Sequence, residues 1–238
     1  MNDRRQLWLD LLRGLSAIAV CSGHLRAMMF CDYGQIEKPS IFHAVLFAVT
    51  GMAHQAVIFF FVLSGYFVGG SVWKNRQRFS MSKYATQRLL RLWVVLLPAL
   101  VATWLIDRYV ASSAPDVLEG SRYEAWSSGP SPDGSYSTSP ATFLGNALFL
   151  QTILVPVFGT NGPLWSLANE FWYYMLFPLL MIATRQLPNY RSPWWCAGAI
   201  VLSGAILYWL PREFLLGWVI WLLGVGSAIV ADRLSPIG

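Results

Sequence analysis

Residues Leu7 to Phe30 read LWLDLLRGLSAIAVCSGHLRAMMF, an apolar run long enough to cross a bilayer, which takes about 20 residues. Asp10, Arg13 and His24 lie inside it. An ionisable side chain within a membrane helix is costly unless it meets water or a partner, so each marks a candidate functional position.

The spacing adds to this. Arg13 and His24 are 11 residues apart. At about 100° and 1.5 Å per residue they return to nearly one helix face, about 16 Å apart along the axis. Asp10 lies on that face one turn before Arg13. Between the ends the stripe is Gly14, Ala17 and Cys21, all small. Two readings stay open. The stripe is either a shallow groove for a slender acyl-bearing chain, with a charged end and an imidazole end, or a seat for a neighbouring helix. In the second case Asp10 and Arg13 snorkel at the interface. His24 lies too deep to snorkel, and the functional reading suits it better.

Composition supports a polytopic membrane protein. Only 12% of the 238 residues are charged and 55% are hydrophobic, whereas charged residues make up about a quarter of a soluble domain. The net charge of +5 fits loop topology rather than nucleic-acid binding. Many of the 12 tryptophans fall near expected helix ends, as an interfacial belt requires. Cys21, Cys31 and Cys196 form no disulfide framework or motif. The first apolar run is expected to stay as a signal anchor.

Taken in order, Arg4 and Arg5 predict a cytoplasmic N-terminus, and Cys31 to Ser40 an outer loop. Phe42 to Thr50 is expected to be interfacial or a helix start, with a bend at Gly51-Met52 and a span over His54 to Trp73. Lys74 to Arg91 holds six basic residues and no acidic one, the strongest cytoplasmic signal in the chain. A third helix is expected from Leu89 to Val110. An extracytoplasmic loop follows over 111–142; counting from Asp107 at the end of the preceding helix, Asp107, Asp116, Glu119, Glu124 and Asp133 outweigh Arg108 and Arg122. Phe143 to Val157 is short for a span and suits a re-entrant or partly buried helix. Thr160-Asn161-Gly162-Pro163 is a turn that starts a helix over Leu164 to Thr184. Ser192 to Leu210 and Phe214 to Ala231 complete six expected spans of a single all-α domain, 1–238.

Three further features carry chemistry. Glu170 lies inside the fourth span, at a depth within a few ångströms of His24 by helix rise. A carboxylate there either fixes the tautomer of a histidine and raises its basicity, or binds a partner between helices. Arg88 and Arg91 form an R-x-x-R pair at the cytoplasmic entrance of the third helix. Their spacing suits a phosphate, and topology alone also accounts for them. Ser64-Gly65, within FFFVLSGYFVGG, is a helix break beside a ligand or a packing notch. His43 and His54 read as interfacial or structural. There is no metal-ligand spacing, nucleotide-binding glycine loop or serine-nucleophile elbow.

Four motifs occur in order: LDLLRGLSAIAVCSGH, FFFVLSGYF, RLLRL and GPLWSLANEFWYYMLFPLL. Together they resemble the acyltransferase-3 family of integral-membrane O-acyltransferases, over roughly Trp8 to Leu180. That resemblance implies transfer of an acetyl or other acyl group from cytoplasmic acyl-CoA to a hydroxyl of a surface or lipid-linked glycan. The bacterial cytoplasmic membrane is the implied location, with no metal and no nucleic-acid partner. By motif, His24 would be the catalytic base, Arg13 its partner and Glu170 a supporting acid. Arg88 and Arg91 would hold the donor, with Asp10 and Ser64 as further donor-site candidates. Family members usually have about ten spans, so a short or truncated version is expected. The competing readings are a transporter or flippase for a lipid-linked glycan, and an inactive partial acyltransferase.

Overall fold

The computed structural model describes residues 3–119 and 136–234, with side chains from Gln6 onward. Arg4, Arg5, Arg122, Glu124 and Asp133 of the topology argument lie outside the described side chains. Among the described residues the regular structure is helical, with no strand and two isolated bridges, Ser137 to Phe158 and Gln151 to Val155. The chain is an all-α polytopic protein.

The helices are α1 (Asp3–Met29), α2 (Ile41–Thr50), α3 (Ala53–Ser64), α4 (Gly70–Lys74), α5 (Met81–Ser113), α6 (Pro115–Leu118), α7 (Pro140–Ala147), α8 (Trp165–Ala183), α9 (Pro193–Trp209) and α10 (Arg212–Leu234). A π-helical turn, Gly65–Gly69, joins α3 to α4. Local chemistry explains several boundaries. Ser139 Oγ accepts the Thr142 N–H at 3.1 Å, with Pro140 opening α7. Ser192 caps α9 in the same way, with Pro193 at its first position. The Ser40 N–H donates to His43 Nδ1 at 3.1 Å. His43 is thus a structural residue at the start of α2, as the sequence suggested.

Among the described residues, four stretches are long and apolar enough to cross a membrane: Gln6–Gln35, Ile41–Lys74, Met81–Ser113 and Arg212–Leu234. Six were expected. α9 has 17 residues and falls short on length, whereas α8 has 19 and carries Asn169 and Glu170 among its apolar residues. The third helix begins at Met81 rather than Leu89. Lys83, Arg88 and Arg91 are therefore helical, and apolarity marked only the part of α5 inside lipid. The expected re-entrant helix is helical only over Pro140–Ala147. Beyond it the chain turns through Phe149 and Thr152, both with positive φ.

The chain divides into two compact units, one of residues 1–60 and 98–164, the other of residues 61–97 and 165–238. In the first, α1 packs on α2. Gly23 is buried against Thr50 and Ala53, and the Arg26 guanidinium lies 4.2 Å from the Phe47 ring centre. Asp107, counted above with the outer loop, is instead 1% exposed on α5. It accepts the Thr160 N–H at 2.9 Å and the Thr160 hydroxyl at 2.6 Å.

In the second unit α9 packs on α8, and α10 packs on the π turn. Lipid tails are as apolar as the helices, so close packing and interhelical hydrogen bonds must hold them together. Both are present. A Cβ on Gly65 would lie 2.0 Å from the Trp221 carbonyl oxygen, and one on Gly224 2.0 Å from the Val62 oxygen. Trp218 and Trp221 stack at 5.2 Å, and the Tyr173 hydroxyl donates to the Phe214 oxygen at 2.9 Å.

Candidate active site

The first unit holds His24, Arg13 and Asp10 on α1. Arg13 donates to Asp10 Oδ1 at 3.4 Å, one turn away, and both side chains are partly exposed. Gly14, Ala17, Cys21 and His24 are all exposed. A Cβ on Gly14 would meet no described atom within 4 Å. Within the first unit, then, no described helix fills the small-residue stripe between Arg13 and His24.

The second unit holds Ser64, Arg88, Arg91 and Glu170, and joins three of them through residues that sequence reasoning missed. Ser64 Oγ donates to Glu170 Oε1 at 3.0 Å. The Tyr174 hydroxyl donates to the same oxygen and lies 3.1 Å from Ser64 Oγ. Trp221 Nε1 donates to Ser64 Oγ at 3.2 Å. With its proton on Glu170, the Ser64 oxygen is free to accept from the indole. Tyr84 closes the group by donating its hydroxyl to the Tyr174 carbonyl at 3.1 Å.

Arg88 lies against this floor. Its guanidinium carbon is 5.5 Å from the Tyr84 ring centre and 5.8 Å from that of Tyr174, within cation–π range. Arg88 Nε is buried and has no hydrogen-bond partner among the described residues. A buried donor left open is costly, so this one is available to a ligand. Arg88 lines a cavity of about 330 Å³, whereas Arg91, one turn on, is exposed and not part of its wall. Among the described residues there is no cluster of three or more His, Cys, Asp and Glu that could hold a metal.

Two of the missed residues had a local signal. Tyr174 is four residues after Glu170 on α8, and Tyr84 four before Arg88 on α5, the spacing of helix neighbours. Trp221 had none, since it reaches Ser64 across 157 residues of chain.

Comparison with known proteins adds the chemistry. A family model described as an acyltransferase domain matches residues 6–235. The chain is 28% identical over 204 residues to the acyltransferase MdmB of Streptomyces mycarofaciens, an alignment covering 85% of this chain and 46% of that protein. The chain therefore spans about half the length of the curated relative it matches. No solved structure matches it significantly.

Proposed function

Because the chain belongs to the acyltransferase-3 family of membrane acyltransferases, we propose that it moves an acetyl or other acyl group from cytoplasmic acyl-CoA to a hydroxyl of a surface or lipid-linked glycan. The observation that carries the donor side is Arg88, whose buried, unpartnered Nε borders a cavity. The six cations and no acids between Lys74 and Arg91 support a cytoplasmic donor and a cytoplasmic N-terminus in the bacterial inner membrane.

In this reading the acceptor hydroxyl attacks the thioester carbonyl. A bond forms between that oxygen and the acyl carbon, and the carbon–sulfur bond breaks. His24 takes the hydroxyl proton as general base, and CoA leaves as its thiolate. Arg13 neutralises donor phosphate or the charge developing on the carbonyl oxygen, with Asp10 orienting it. Arg88 holds the donor, with Arg91 one turn further along α5. Glu170 acts on the donor side. It accepts from Ser64 and Tyr174, and the Tyr174 ring carries Arg88.

The test is transfer of labelled acetyl from acetyl-CoA to surface glycan in cells expressing the chain, with His24→Ala at matched membrane levels. A general base contributes about 10²–10⁴-fold, so incorporation should fall by at least about 100-fold in the variant. Equal incorporation by both forms would refute His24 as base. Acyl-CoA left untouched by well-inserted wild-type protein would refute the acyltransferase reading.

A further inference from the structure

Arg26 stands on α1 two residues after His24. Its Nε is buried without a hydrogen-bond partner, and no described acid pairs with its guanidinium. The group is nonetheless held in place, 4.2 Å from the ring centre of Phe47 on α2. Gly23, one turn earlier, permits this close approach of the two helices, since a Cβ there would lie 2.5 Å from the Ala53 Cβ. A cation pinned on a ring with open donors suits a bound anion better than free snorkelling to water.

Two neutral donors share the same ring. Tyr33 meets Phe47 edge-on at 5.2 Å, and its exposed hydroxyl has no hydrogen-bond partner among the described residues. His43 lies one turn before Phe47 and on the same face of α2. Its Nδ1 accepts the Ser40 N–H at 3.1 Å, so the neutral ring carries its proton on Nε2. One nitrogen therefore fixes the start of α2, and the other offers a donor with no described partner. His43 also sits in the first turn of α2, where the helix dipole favours negative charge. Arg26, Tyr33 and His43 thus come from α1, the turn Tyr33–Gln35 and α2, and none of them bonds a described carboxylate.

We infer that this cluster binds a phosphate carried on a lipid, and that the lipid is the carrier of the acceptor sugar. The inference rests on the acyltransferase reading above, with α1 starting in the cytoplasm. Of the two acceptors named there, it selects the lipid-linked glycan. In that orientation Arg26 lies three residues from the outer end of α1, about 4–5 Å below it. Lipid phosphates occupy this interfacial level, whereas a surface polymer lies beyond it. A guanidinium fork matches phosphate oxygens, and the phenol and imidazole add two further donors. His24 is only about 3 Å away along the helix axis. A phosphate held by Arg26 brings the sugar attached to it to the level of the proposed base.

The experiment measures binding to the purified full chain in nonionic detergent, by calorimetry, using a polyprenyl diphosphate, the polyprenol of equal length and phosphatidylglycerol. The diphosphate should bind and the polyprenol should not. Arg26→Gln should weaken the diphosphate at least about tenfold, the effect of one charge-assisted hydrogen bond. Tyr33→Phe keeps the ring on Phe47 and should weaken binding about 3–10-fold. His43→Glu keeps a side-chain acceptor for the Ser40 N–H, as in an ordinary capping box, and sets a negative charge in place of the Nε2 donor. It should weaken binding at least about tenfold with the helix start intact. Lys38→Gln, which removes an exposed cation of the same loop, should change affinity by less than about threefold.

Polyprenol binding as tightly as the diphosphate would overturn the inference in favour of an apolar seat. Equal weakening by Lys38→Gln and Arg26→Gln would overturn it in favour of diffuse charge. Displacement of the diphosphate by an equal concentration of phosphatidylglycerol would overturn it in favour of bulk phospholipid. An Arg26→Gln protein that melts lower yet binds as wild type does would leave Arg26 a staple between α1 and α2. In transfer assays Arg26→Gln should raise KM for the lipid-linked acceptor and leave KM for acyl-CoA unchanged. Transfer with an unchanged acceptor KM would refute this site and leave the acyltransferase reading intact. Binding as described with no acyl transfer would do the reverse.

Discussion

The indole of Trp221 on α10 donates to the hydroxyl of Ser64 at the end of α3, 3.2 Å away, and both side chains are buried. Ser64→Ala removes the indole's acceptor and one of Glu170's two hydroxyl donors. Interhelical hydrogen bonds in membranes couple by about 0.6 kcal/mol on average and at most about 1.7. A double-mutant cycle of Ser64→Ala and Trp221→Phe, read by thermal unfolding in detergent, should give a coupling in that range. Strict additivity would show that the pair contributes no interaction of its own.

In the proposed donor site, Tyr174 positions Arg88. Tyr174→Phe keeps the ring under the guanidinium but frees it from Glu170 and Ser64. The expected result is a rise of about 3–10-fold in KM for acyl-CoA, equivalent to about 1 kcal/mol for a lost neutral hydrogen bond, with kcat nearly unchanged. Loss of kcat at constant KM would instead assign the phenol to the chemical step.

Two glycines on α10 offer a matched pair. A Cβ on Gly224 would meet the Val62 oxygen at 2.0 Å, whereas one on Gly226 would meet nothing within 4 Å. Gly224→Ala must push α10 off the π turn and should cost about 1–3 kcal/mol or more. Gly226→Ala should be neutral or slightly stabilising, because alanine favours the helix. Similar melting temperatures for the two variants would contradict this packing.

The phenol of Tyr136 reports on Asp107. Its hydroxyl donates to Asp107 Oδ2 at 3.3 Å, and burial first, then the neighbouring carboxylate, push its pKa from 10.0 up to about 12. The folded state therefore keeps a proton that the unfolded state releases. The contribution of this group is intact below pH 10 and falls as the pH rises from 10 to about 12. Melting temperature in detergent should decline over that window, and Tyr136→Phe should flatten this part of the decline. An unchanged slope in the variant would place the alkaline loss elsewhere.

Helix ends with punctuation were legible in the sequence. Pro163 and the turn before it set the start of α8 to within one residue, and Gly51-Met52 marked the break before α3. The start of α5 was not. Hydropathy detects where lipid lies, and the basic turns from Met81 to Arg91 are helical outside the apolar stretch. Each of the six expected spans coincides with a helix, but α8 carries polar residues that lower its apolarity and α9 is short, so four stretches qualify by length and apolarity. At the site, Ser64 and Glu170 stood out as polar groups in apolar runs, and Arg88 through its R-x-x-R spacing with Arg91. Trp221 carried no local signal until the fold brought α10 onto the π turn. Asp107 was read as a loop acid because nothing local showed that Thr160 would return to bury it.

The π turn has one more consequence. The Gly70 N–H reaches back five residues to the Gly65 oxygen, so this turn holds one residue more than an α-helix would. Everything after Gly69 is thereby rotated by about 100° relative to an uninterrupted helix. The extra residue acts as a phase shifter. It lets one nearly continuous rod present Ser64 to Glu170 at one level and turn Ser71 and Asn75 toward the cavity two turns later. Deleting a single residue here would leave the composition almost unchanged and put the two levels out of step.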